Sequence, residues 1–207
     1  MIFADRNDAG RQLAERLTSY RKENPVVLAI PRGGAVVAGE IAKALDAPLT
    51  LIIPRKIGAP YDPEFAIGAV AEDGSIVLDE ETVSSLGVSA EYIEAEKKAQ
   101  IEEIKRRKQA YGAKDIELKG RVVILVDDGI ATGSTILAAV KSIRKKDPKK
   151  IVVAVPVAPQ EAVSELKNQV EEVVCLHAPE YFGAVGCFYR DFSQTSDAEV
   201  MSILREK

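Results

Sequence analysis

A chain of 207 residues, 46% hydrophobic and 29% charged, has the balance of a soluble globular protein and the length of one domain, or one domain with an insertion. A formal net charge of −4 gives no support to an extended nucleic-acid surface, and no apolar run approaches the length of a membrane span. Cys175 and Cys187 give no disulfide framework and there is no signal-peptide pattern, so a cytoplasmic, reduced setting is expected.

In chain order, residues 7–22 have helical spacing, with Leu13, Leu17 and Tyr20 on one side and Asp8 as the expected N-cap. An apolar strand over 26–30 runs into Pro31-Arg32-Gly33-Gly34, and a helix follows over 35–45. A third apolar run, 49–53, ends at Pro54-Arg55-Lys56. Residues 54–118 break this alternation. Within them, 65–70 and 76–78 read as an antiparallel hairpin across Glu72-Asp73-Gly74-Ser75. Ser89 then opens a long helix to about Ala110 with a sparse apolar stripe, Ile93, Ala99, Ile101 and Ile104. Acid precedes base along that helix, and its basic run 105–108 reads as plain solvated surface. Strands over 121–126, 150–155 and 172–176 alternate with helices over 135–146 and 159–168. Such alternation means a parallel sheet with helices on both faces.

The stretch 122–135 carries the most chemistry. Five apolar residues stop at two adjacent carboxylates, Asp127 and Asp128. A small-residue turn follows, Ala131-Thr132-Gly133-Ser134-Thr135, and then a helical pattern at Ile136, Leu137, Val140 and Ile143. A helix start offers unpaired N–H groups and partial positive charge, which suit a phosphate. Gly133 allows close approach, and Thr132, Ser134 and Thr135 add hydroxyl donors. The aspartates are acceptors, suited to sugar hydroxyls or a divalent metal. Acceptors at one end and phosphate donors at the other describe a ribose 5-phosphate clamp. The same strand–loop–helix plan recurs at Arg32-Gly33-Gly34, where a guanidinium can match paired phosphate oxygens. Three strand ends thus carry Arg32, Arg55-Lys56 and Asp127-Asp128, and ligands bind beyond the carboxyl ends of strands in open α/β sheets. No P-loop and no Gly-x-Gly-x-x-Gly fingerprint occurs.

The 122–135 stretch resembles the phosphoribosyl-pyrophosphate loop of the type I phosphoribosyltransferases, departing mainly at Gly129, where many members carry an apolar residue. The resemblance implies an α/β fold with a parallel doubly wound sheet, an inserted hairpin-plus-helix subdomain and a C-terminal hood. The expected bounds are one domain over 1–207, with core 1–53 and 119–176, insertion 54–118 and hood 177–207. It implies transfer of ribose 5-phosphate from phosphoribosyl pyrophosphate to a small nitrogenous acceptor, with release of pyrophosphate and with Mg²⁺ as cofactor. The alternative within the family is a non-catalytic sensor of the same donor. Arg32, Gly33 and Gly34 match the pyrophosphate loop, which in family members often holds a strained or cis peptide. Arg55-Lys56-Ile57-Gly58 resembles the start of the flexible catalytic loop of adenine phosphoribosyltransferases, whose closure excludes water.

By the same carry-over, Arg32, Arg55 and Lys56 stabilise the departing pyrophosphate, while Asp127 and Asp128 hold ribose hydroxyls or metal-bound water. The backbone of Ala131, Thr132, Gly133, Ser134 and Thr135 anchors the 5-phosphate. Glu64 stands near the position of the adenine enzymes' loop glutamate. Phe182, Phe188 and Tyr189 are the stacking candidates for the acceptor. Ala131 replaces the aspartate of the 6-oxopurine enzymes, which argues against hypoxanthine or guanine. A homo-oligomer is expected, with a dimer favoured, and neither nucleic acid nor membrane as partner.

Overall fold

The computed structural model describes residues 2–206; Met1 and Lys207, inside the domain bounds expected above, lie outside the described residues. Strands β1 (Val26–Ala29), β2 (Leu49–Leu51), β6 (Val122–Val126), β7 (Lys150–Val157) and β8 (Glu172–His177) form a parallel sheet in the order β2-β1-β6-β7-β8. Every residue of β1 and β6 is buried, which is why both read as unbroken apolar runs. Alternate residues feed two cores. Val27, Ala29, Ile124, Val126, Val152 and Ala154 face one, and Val26, Leu28, Val123, Leu125, Ile151 and Val153 face the other. A fully buried Val, Leu or Ile contributes roughly 1.5–3 kcal/mol relative to exposure, so these short strands anchor the fold.

Helices α1 (Arg6–Arg16), α2 (Gly33–Leu45) and α7 (Asp197–Arg205) cover the first face, through Leu13, Ile41 and Val200 among others. Helices α5 (Ser134–Arg144) and α6 (Gln160–Lys167) cover the second, through Ile136, Ala139, Ala162 and Leu166. The expected helix 7–22 is shorter as an α-helix. Its cap is Asp5, whose side chain accepts from the Asp8 N–H at 2.7 Å, rather than Asp8 itself. It ends at Leu17, where the Thr18 hydroxyl takes the carbonyls of Ala14 and Glu15, and a 3₁₀ turn spans Thr18–Glu23.

Residues 54–118 leave the parallel sheet. The hairpin is present as β4 (Asp62–Val70) and β5 (Ile76–Leu78), but β3 (Arg55–Ala59) pairs antiparallel with β4 and makes a three-stranded sheet. Arg55 and Lys56 therefore open a strand and not a flexible loop. The reason is the partner: Ile57, fully buried, and the Arg55↔Val70 and Lys56↔Ala69 pairings fix a segment whose own composition is charged. A short helix α3 (Glu80–Ser85) leads to α4 (Ala90–Tyr111). Of the expected stripe on α4, Ile93 and Ile104 are buried and Ile101 is half-buried, whereas Ala99 is exposed; Tyr111, the last residue, is buried as well. The Tyr92 hydroxyl donates to the Gly58 carbonyl at 3.1 Å, and Lys108 bonds Glu72 and Asp115. On the other side Lys141 donates to the Ile76 carbonyl and Lys145 pairs with Asp73, which ties the small sheet to α5.

The segment after β8 returns to the N-terminus. The Phe3 N–H donates to the Phe188 carbonyl at 2.8 Å, and the Arg190 N–H to the Phe3 carbonyl at 2.9 Å. The 3₁₀ turn Val185–Phe188 presses Val185 onto Gly129, where an added Cβ would lie 2.4 Å from the Val185 Cγ1. Val185 thus fills the space that a side chain at position 129 would take. Gly129→Val should destabilise the chain by about 1–3 kcal/mol through overpacking. Adding Val185→Ala should restore most of that loss in urea denaturation; additive losses in the double variant would refute the size exchange.

Candidate active site

Strand β1 continues through α2 to β2 on one side of the sheet, whereas β6 continues to β7 and β8 on the other. The chain order reverses between β1 and β6, and the crevice beyond their carboxyl ends is where an open α/β sheet binds ligand. Two loops flank that crevice. The loop after β6 carries Asp127 and Asp128 and reaches α5 through Gly133, at φ +86°, a left-handed conformation that suits glycine. No side chain caps α5, and its first backbone bond runs from the Leu137 N–H to the Gly133 carbonyl. The N–H groups of Ser134, Thr135 and Ile136 therefore stand without intrahelical acceptors. Ala131 and Thr132 are exposed beside them.

The loop after β1 holds Arg32 as the N-cap of α2, after a cis peptide between Pro31 and Arg32. Its glycines are demanded by the facing acids. A Cβ on Gly33 would fall 1.8 Å from the Asp128 Oδ2, and one on Gly34 would fall 2.9 Å from the Asp127 Cα. Asp128 is held on three sides. Arg6, the first residue of α1, donates its Nε to Oδ2 at 2.7 Å, and both side chains are largely buried. Arg6 also donates to the Ser193 carbonyl at 2.8 Å and lies over the Phe192 ring. The Tyr189 hydroxyl donates to the Asp128 carbonyl at 2.6 Å. The Asp128 N–H turns back to Asp127 Oδ1 at 2.8 Å. Burial and the adjacent Asp128 charge push the Asp127 carboxyl well above the usual carboxylate range, against the pull of that N–H and of Arg6.

The model of the phosphoribosyl transferase domain matches residues 5–191. The chain belongs to that family. Two curated proteins of Mycobacterium tuberculosis, from strains CDC 1551 and H37Rv and both named as candidate phosphoribosyl transferases, are 45% identical over 205 residues, 98% of this chain. The chain spans 46% of their length, about half. The crystal structure of TT1426 from Thermus thermophilus is 44% identical, with a TM-score of 0.84 over 100% of this chain and 99% of that one. A purine phosphoribosyltransferase from Pyrococcus horikoshii Ot3 shares the fold alone, at 18% identity and a TM-score of 0.51 over 92% of each chain. The doubly wound parallel sheet is that of the type I phosphoribosyltransferases.

Within this phosphoribosyltransferase domain the acidic pair packs directly against the Gly33-Gly34 loop, and the 131–135 turn continues from the same strand end into α5. The other expected site residues divide. Arg55 is half-buried and donates its Nε to Gln100 of α4, and burial together with the nearby Arg107 charge lowers its pKa. Lys56 is exposed on the opposite side of β3. Glu64 is exposed on β4 near the β3–β4 turn, and its side chain makes no hydrogen bond or ion pair among the described residues. Phe182 and Phe188 stack on each other at 5.4 Å between centroids, each half-buried. Tyr189 corrects the hood reading. Its ring is 6% exposed, packed between Phe3 and Phe192, and its hydroxyl supports Asp128. A ring enclosed in this way cannot offer a face to an acceptor.

Arg6 is the site residue that sequence reasoning missed. It lies 122 positions from Asp128, and nothing local marks it. Removing Arg6 leaves a mostly buried carboxylate without its charged donor, and hydrogen bonds to charged groups contribute about 1.5–3 kcal/mol. Arg6→Ala should lower stability by roughly that amount, measured by chemical denaturation, with Arg6→Lys intermediate. Equal stability of Arg6→Ala and wild type would contradict the clamp.

Proposed function

We propose that this domain transfers ribose 5-phosphate from phosphoribosyl pyrophosphate to a small nitrogenous acceptor other than a 6-oxopurine and releases pyrophosphate. One observation carries the reading: the paired aspartates abut the glycine loop of Arg32 in the sheet's crevice, and the acidic loop runs on to the uncapped start of α5. The free N–H groups of Ser134 and Thr135, with the Thr132, Ser134 and Thr135 hydroxyls, suit the 5-phosphate. Asp127 and Asp128 face the place where ribose hydroxyls would follow. Negative charge grows on the departing pyrophosphate, and half-buried Arg32 and the β3 residues Lys56 and Arg55 are the cations that would meet it.

Mg²⁺ fits this donor set only together with the substrate. Among the described residues no group of three or more His, Cys, Asp or Glu could hold a metal, and Arg6 already occupies one Asp128 oxygen. Magnesium is commonly bound through one or two carboxylates plus substrate oxygens and water. Asp127 and the second Asp128 oxygen would supply the carboxylates. The bound ion would neutralise pyrophosphate charge.

Ala131 bears on the acceptor side. It is exposed at the entrance of the phosphate turn and has no group for a purine ring nitrogen. An unpaired buried polar group costs roughly 1–3 kcal/mol, so hypoxanthine and guanine should be at least about tenfold poorer than the true acceptor. Phe182 and Phe188 are the remaining aromatic candidates for a flat acceptor.

A pyrophosphate-release assay with donor, Mg²⁺ and a panel of bases and amines tests the whole reading. Release that depends on one acceptor class is expected; guanine or hypoxanthine as the best acceptor would overturn the argument from Ala131. Arg32→Ala and Lys56→Ala should each reduce turnover about 10²–10³-fold, more than they weaken donor binding. Calorimetry should give Mg²⁺-dependent donor binding that is lost in Asp127→Asn/Asp128→Asn. Undiminished affinity in that variant would remove the acidic pair from the site. The same variant, freed of two adjacent carboxylates, separates a binding defect from a folding defect if its thermal midpoint holds.

A further inference from the structure

The basic run near the end of α4 does not behave as one surface. Lys105 pairs with Glu102, and Lys108 turns to Glu72 and Asp115. Arg106 and Arg107 turn the other way. They line a cavity of about 280 Å³ together with Arg32, Ala110, Tyr111, Asp197 and Met201. Arg32 reaches this cavity from the loop after β1, 74 positions earlier than Arg106 in the chain. Three guanidiniums from two separate elements thus share one recess at the edge of the candidate active site.

The recess is a constructed one. Ile104 and Tyr111, both buried, seat the last turns of α4. The Tyr111 hydroxyl donates to Asp197 Oδ1 at 2.7 Å and joins α4 to the start of α7. Burial and that bond push the Tyr111 phenol up to about 12, so it stays a neutral donor. The α7 start is closed by a capping box between Ser196 and Glu199. Any anion in the recess must therefore depend on the arginines. Glu103 orients two of them: it accepts from Arg106 Nε at 2.7 Å and Nη2 at 2.9 Å, and from Arg107 Nε at 2.8 Å. Those bonds hold the Glu103 carboxyl at about 2. Arg107 keeps both terminal nitrogens without a hydrogen bond, and Arg106 keeps one. Arg32 has only a distant Asp197 carboxylate, 3.8 Å away. Arg55 adds a further cation close enough to interact with Arg107.

Arg106 and Arg107 both pair with a carboxylate one turn away, but it is one and the same carboxylate, Glu103, and Arg106 stays largely exposed. Here cations outnumber carboxylates, forked donors remain unused, and the recess opens beside Arg32, the N-cap of α2. Forked guanidiniums match the paired oxygens of a phosphoryl group better than the point charge of an ammonium would. We infer that Arg106 and Arg107 of the inserted helix, with Arg32, form the site that holds the pyrophosphoryl group. This inference rests on the phosphoribosyl-transfer reading and adds to it a residue pair outside both donor loops. It gives the insertion a binding role: α4 carries cations to a leaving group that the parallel sheet alone meets only through Arg32.

The test is calorimetric titration of inorganic pyrophosphate and, separately, of ribose 5-phosphate into the whole chain. In Arg106→Gln/Arg107→Gln, pyrophosphate affinity should fall at least about tenfold, while ribose 5-phosphate affinity is unchanged. Arg106→Lys/Arg107→Lys keeps the charge and loses the forks, and should fall between; it also guards against loss of fold in the glutamine variant, with far-ultraviolet dichroism as the check. Wild type that binds ribose 5-phosphate but not pyrophosphate, or a glutamine variant within twofold of wild type for pyrophosphate, overturns the inference and leaves the donor-site reading standing. Wild type that binds neither ligand overturns both.

Discussion

The structure turns on the contact between Gly33-Gly34 and Asp127-Asp128. Neither glycine has room for a Cβ, because the acidic step lies directly against the loop. That closeness comes from the sheet. Parallel pairing of Val26 with Val123 through Ala29 with Val126 ends β1 and β6 level, so the loops they launch must abut. A side chain at Gly33 would displace the Asp128 carboxylate and Arg6 together. The glycines, the acids and the strand register are thus one constraint, and the crevice exists because all three agree.

Two adjacent carboxylates in a half-buried step repel each other and lose hydration. The chain offsets this locally with a backbone N–H and distantly with Arg6. The distant part recruits both ends of the chain. Arg6 leans on Phe192 and Ser193, Phe3 bonds Phe188 and Arg190, and Tyr189 holds the Asp128 carbonyl. What reads in sequence as an aromatic acceptor hood is, at Tyr189, a brace for the acidic step. Phe182 and Phe188 remain at the surface of that brace, so loop rigidity and any acceptor contact share one segment.

The insertion shows how a weakly patterned segment acquires order from its partners. β3 has one fully buried large side chain, Ile57, and two charged residues at its start. It is a strand because β4 pairs with it and α4 covers it through Arg55–Gln100 and Tyr92–Gly58. The turn beyond it leaves Tyr61 almost fully exposed, and Phe65 half-exposed on β4. The same helix that covers β3 delivers Arg106 and Arg107 to Arg32.

The sequence by itself determined the parallel core and the make-up of the two loops at its carboxyl edge. Runs such as 122–126 are apolar throughout because both faces are buried, and periodicity reports burial. The Asp-Asp step and the Thr-Gly-Ser-Thr turn are contiguous, so their chemistry is legible without a fold. The capping box of α7, Ser196 with Glu199, was equally local and readable, although that helix was not among the expected elements. Only the tertiary structure decided the rest. The start of α1 moved to Asp5 because either of two nearby aspartates could cap it, and geometry selects one. β3, the Arg6–Asp128 bond, the brace role of Tyr189, the Val185–Gly129 exchange and the three-arginine recess all join residues far apart in the chain. Such pairings depend on which surfaces the folded sheet and helices bring within bonding distance. Charge or aromaticity at one position cannot encode the distance to its partner.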